Sequence, residues 1–157
     1  MGRRHLIRSA AIAAALSVTI AAPAGAAIRW KTVSDGFASG PPLTSATGYV
    51  AFGKTAASSR FAERLTPAAK ARLGTIDFSK NTLVAIFGEF GCEDPLIAVT
   101  SVVQHGKTLA VGLVHERPSS SLVECMAIYA TYRFLTVPLT ALAKPYPTHV
   151  TVTVAPA

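Results

Sequence analysis

Apolar and polar positions along this chain change their period several times, and each change marks an element. The run at 83–87 is continuously apolar, whereas 97–103 and 109–114 are short β-branched segments joined by Gln104-His105-Gly106-Lys107. All three read as strands, expected to form a consecutive meander. A tight turn with His105 and Gly106 as its two central residues puts Gly106 where positive φ is needed. That loop would pair Val102 with Leu109, Thr100 with Val111, Val99 with Gly112 and Ile97 with Val114. Both faces of the hairpin are then mostly apolar, so each needs a cover.

Upstream, 28–33 alternates apolar with polar residues and puts Ile28, Trp30 and Thr32 on one face of a half-buried strand. Residues 34–42 are rich in Gly, Pro and Ser and read as a loop, followed by a second short strand at 48–52. Two short helices are expected at 55–65 and 67–73. Thr55 or Ser58 can cap the first, and Thr66 caps the second with Pro67 at its first position, where a missing N–H costs nothing. Phe61, Leu65, Ala68, Ala69 and Leu73 form the apolar side, Gly74 ends the second helix, and Arg60, Glu63, Arg64, Lys70 and Arg72 face solvent. Another extended stretch, 122–137, stops at Pro138; a helical turn at 139–143 leads to a last strand at 149–154. The expected fold is α+β: a predominantly antiparallel β-sheet with two short helices packed on one face.

Composition changes this picture first at the N-terminus. Arg3, Arg4 and Arg8 precede an apolar stretch at 10–22, and Ala24-Gly25-Ala26 is a small-residue cleavage signature. Residues 1–26 therefore read as a signal peptide, with 27–157 as a single domain. The stretch is too short and too Ala-rich for a membrane span. Arg3-Arg4-His5-Leu6-Ile7 fits twin-arginine export, and general secretion fits as well. The expected location is secreted or in the cell envelope. The chain has 15 Lys+Arg against 8 Asp+Glu, so removal of three arginines leaves 12 against 8, or +4. These cations are spread along the sequence without the aromatic interleaving of a nucleic-acid footprint, which argues against nucleic acid as a partner. In an oxidising compartment Cys92 and Cys125 read as one disulfide, since neither has an adjacent His and there is no C-x-x-C.

Several motifs invite chemistry and fail on inspection. Residues 48–55 match G-x-x-x-x-G-K-[ST] literally, yet the interior is bulky and apolar and no buried strand precedes it; strand followed by helix cap is the better reading. Glu89, Glu93 and Asp94 do not follow the calcium-loop pattern. His115-Glu116 begins like H-E-x-x-H, but Pro118 breaks a helix and Ser119 stands where the second His is required. Residues 36–40 are not G-x-S-x-G, and Ser119-Ser120-Ser121 has no partner constellation. Glu89, Glu93, Glu116 and Glu124 are the carboxylates a glycoside hydrolase would have to bring together. No catalytic residue, metal or cofactor is assigned.

Asp77-Phe78-Ser79-Lys80-Asn81, the apolar run to Phe87, Gly88, then 97–102 and 107–111 resemble the C-terminal domain of the PrcB family of protease-complex subunits. The resemblance covers some 60 to 80 residues. It implies an exported, non-enzymatic domain with a protein partner, a protease being the natural candidate, and no catalytic residues carry over. Similar proteins often carry a T-G-G-Y-like loop between the first two central strands; here it is Phe90-Gly91-Cys92-Glu93. The expected contact residues are Glu89, Phe90, Gly91, Glu93 and Asp94, in a loop tied by Cys92 and Cys125 to 117–125. Two alternatives stand beside this reading: a cell-wall carbohydrate-binding module using Trp30, Tyr49 and Tyr146, and an unrecognised secreted hydrolase.

Overall fold

A computed structural model describes residues 25–40, 45–61, 63–89, 97–115 and 130–155. Strand β3 (Asn81–Glu89) sets the architecture, because residues 82–88 are buried on both faces and such a strand must have neighbours on both sides. Those neighbours are β6 (Ala130–Pro138) and β2 (Thr47–Ala51), both antiparallel to it. Beyond β2 lie β7 (His149–Ala155), β5 (Thr108–His115) and β4 (Ile97–His105), and β1 (Lys31–Phe37) flanks β6 at the other border. All ladders are antiparallel except β5 with β7. The sheet curls into a half-barrel. The segment before β1 reaches its opposite border, where Ala27 bridges Val103 and the Ile28 N–H donates to the Val102 carbonyl at 2.8 Å.

The expected meander is therefore corrected. β3 is followed in the chain by β4 but is separated from it in the sheet by three strands, β2, β7 and β5. A strand apolar on both faces takes the centre, while the hairpin of β4 and β5 closes the far side. The hairpin register is corrected as well. The two loop residues are Gly106 and Lys107, with Gly106 at φ 57 in the first central position, as a type II′ turn requires. Val102 thus pairs with Val111 and Gln104 with Leu109, and a bulge between Val99 and Ser101 shifts the remainder. The loop expected at 34–42 begins late, since 34–37 continue β1 along β6. Gly36, at φ 152, sits opposite Tyr132, whose ring lies where a Cβ would make ordinary contact.

Each face of the sheet has its own core. Inside the curl, Val84, Ile86, Leu109, Val111, Leu113 and Leu135 pack with Ile28 and Val102. Outside, α1 (Lys54–Phe61) and α2 (Pro67–Leu73) cover β3 and β6, burying Ala57, Phe61, Leu65, Ala69 and Leu73 against Leu83, Phe87, Tyr132 and Phe134. The helices pack on one face, as expected. Thr66 caps α2, its hydroxyl accepting from the Ala69 N–H at 3.2 Å, while Gly74 ends it in a right-handed conformation. α1 starts at Lys54, after Phe52 and Gly53, and the Gly53 carbonyl accepts from the Ala57 N–H. Buried hydroxyls are satisfied: Thr82 donates to the Ala51 carbonyl at 2.7 Å and Thr131 to the Gly88 carbonyl at 3.1 Å.

Candidate functional site

The two ends of the half-barrel differ in construction. At one, here the turn end, the connections are short and knit together. Gln104 continues the inward-facing row of Val102. Its Nε2 donates to the Gly106 carbonyl at 2.7 Å and the Ala143 carbonyl at 2.9 Å, and its Oε1 accepts from the Ala143 N–H at 2.9 Å. The hairpin turn is thereby locked to the segment before β7, whose Thr148 and His149 amides both donate to the Lys107 carbonyl. A second turn precedes β3. There the Asp77 carboxylate accepts from the Ser79 N–H and hydroxyl, and Lys80 lies 3.7 Å from its other oxygen. These bonds, the Ser79 hydroxyl first, hold the Asp77 carboxyl below the usual carboxylate range. The Asp77–Asn81 motif is thus a turn that launches the central strand.

A cleft of about 550 Å³ opens at this end between the start of β1, the residues after α2 and the ends of β3 and β6. Arg29, Trp30, Lys31, Asp77, Asn81 and Thr136 are among its walls. Its acid, Asp77, is committed to its own turn and is a weak base, and the remaining walls offer cations, hydroxyls, an amide and one indole. Such a lining suits an anionic or hydrogen-bonding group.

The opposite end, the loop end, is where β1, β3, β5 and β7 finish and where β2, β4 and β6 begin. Glu89, the last residue of β3, pairs with Ala130, the first of β6, and Ile97 pairs with His115. Phe90, Gly91, Cys92, Glu93, Asp94 and Cys125 lie outside the described residues, as do Glu116 and Glu124. Near this end Asp35 and Arg133 pair at 3.1 Å, with the arginine largely withdrawn from solvent.

The other sequence candidates are dispersed. Tyr49 belongs to the outer core, with its ring centroid 5.3 Å from that of Phe61 and 6.1 Å from that of Phe87. Trp30 lines the cleft, and Tyr146 stacks on Phe52 at 5.4 Å on the surface. The three aromatics do not share a groove. Gly48 to Ala51 of the nucleotide-like motif form an antiparallel strand, not a phosphate cradle. His105 and His149 flank Thr108 on adjacent strands at the turn end, while His115 ends β5 at the other. Gln104 and the gathering of turn-end cations escaped sequence reading. The one available signal was an amide in phase with an inward apolar row. Comparison with family models, curated proteins and solved structures returned no significant match.

Proposed function

We propose that this chain is an exported domain that acts by binding another protein, a protease being the first candidate, through the loop end of the sheet and without catalysing a reaction itself. The observation that supports this reading is the rooting of both candidate segments, 90–96 and 116–129, at that one end. Paired residues Glu89 and Ala130 have Cα atoms within about 5.5 Å. Cys92 lies three residues past Glu89 and Cys125 five before Ala130. Those lengths of chain reach about 10 Å and 17 Å, so a Cys92–Cys125 bridge lies within range. A bridge there would pre-organise both segments and lower the entropy lost on association. The role matches what the resemblance to the PrcB family implies.

The test is capture of envelope proteins by the oxidised chain, combined with a broad protease-inhibition assay. A specific partner should be lost when 90–96 is replaced by a Gly/Ser segment of equal length, and weakened by reduction. Capture indifferent to that replacement, or hydrolytic turnover by the chain alone, would refute the proposal.

A further inference from the structure

The cations that look scattered in sequence are collected by the topology. Arg29, Lys31, Lys54, Lys80, Lys107 and Lys144 are all exposed, and each sits in or beside a connection at the turn end. Contacts tie these connections into one surface. The Leu139 N–H donates to the Lys80 carbonyl at 2.9 Å, Lys107 accepts from Thr148 and His149, and Gln104 holds the segment that contains Lys144. Phe52, between β2 and Lys54, stacks on Tyr146, and the Lys144 ammonium lies 6.0 Å from the Tyr146 centroid. Among the described residues the only acid at this end is Asp77, already engaged with Ser79 and Lys80. Phe52 and Tyr146 are 38% and 39% exposed, two aromatic rings beside the Lys144 ammonium.

Gly25 lies against the Gln104 carbonyl and the His105 ring at the same end. We infer that the turn end is a docking face for an anionic phospholipid bilayer: its lysines meet lipid phosphates, and Phe52 and Tyr146 sit at headgroup depth. Charge supplies the attraction, and amphipathic aromatic rings favour the boundary between headgroups and chains. The loop end then faces away, free for a partner.

The test is co-sedimentation of the full chain with vesicles of phosphatidylcholine alone or mixed with phosphatidylglycerol, read as the ratio of the two partition coefficients. Any contribution of residues 1–24 is common to wild type and variants. Lys107→Gln/Lys144→Gln should lower the ratio about 30-fold, and Lys54→Gln/Lys80→Gln should act alike. Arg64→Glu, which changes net charge equally but lies before α2, beside Ser39 and Gly40 past the end of β1, should leave it near the wild-type value. All variants are checked for an unchanged melting temperature. An equal fall in Arg64→Glu, no fall in either double variant, or equal sedimentation of wild type with neutral vesicles would overturn the inference. Tighter binding, per phosphate, to soluble inorganic polyphosphate would overturn it too and assign the face to a polymer.

Discussion

Replacing Gly48 with Ala probes the junction between the two halves of the sheet. β2 and β7 are joined by a single register pair, Gly48 with Val150, and everything from β7 to β4 hangs on that seam. A Cβ at Gly48 would fall 2.3 Å from one Val150 methyl, 2.8 Å from Val150 Cβ and 2.9 Å from a Val152 methyl. Ordinary contact begins at 3.4 Å, so the seam would have to open by about an ångström. Overpacking of this kind costs about 2 to 3 kcal/mol, or a fall of about 8 to 12 °C in Tm for a domain this size. Urea unfolding of wild type, Gly48→Ala, Val150→Ala and the double variant measures it. Val150→Ala alone, at a half-buried site, should cost about 1 kcal/mol. Because it removes the nearest clashing atom, the double variant should be no less stable than Gly48→Ala, a coupling of about 1 kcal/mol. Additive losses, or a Gly48→Ala variant within about 0.5 kcal/mol of wild type, would refute the close-approach account.

Other expectations follow from single features. Thr66→Ala removes the α2 cap and should cost about 1 kcal/mol in urea unfolding, with Thr66→Ser restoring most of it. Phe134→Ala, which empties the outer core between Phe87 and Tyr132, should cost about 3 to 5 kcal/mol. Asp77 titrates below the ordinary aspartate range when folded, so its contribution is complete above the unfolded pKa and fades as pH falls through the folded one. A carboxyl-carbon NMR titration should find it the more acidic, and Ser79→Ala should move it back toward the ordinary value. If Cys92 and Cys125 are bridged they enclose about 34 residues, and Cys92→Ser/Cys125→Ser should lose about 3 to 4 kcal/mol, with alkylation and mass spectrometry of wild type finding no free thiol.

Most elements were legible because periodicity is local. The two-sided apolar run of β3, the hairpin and the Thr66-Pro67 helix start are written in consecutive residues. What escaped depends on partners far along the chain. Residues 34–37 are polar and glycine-bearing and look like a loop; they are strand because β6 lies alongside them. Strand order escaped for the same reason: β3 and β4 are neighbours in sequence, and nothing local says that β2, β7 and β5 intervene. The turn-end face was invisible because its six cations are separated by up to 115 positions, from Arg29 to Lys144. Of the expected contact residues, Glu89 alone falls within a described strand, and its role rests with the proposal.

Residues 27–37 hold both margins of the curl, Ala27 and Ile28 on β4 and Lys31–Phe37 on β6, so one short stretch is joined to segments far along the sequence. β1 cannot complete its ladder until β6 has been made through Thr136. Until then the nascent domain carries two raw borders, a condition that favours self-adhesion. Order along the chain and order across the sheet differ here.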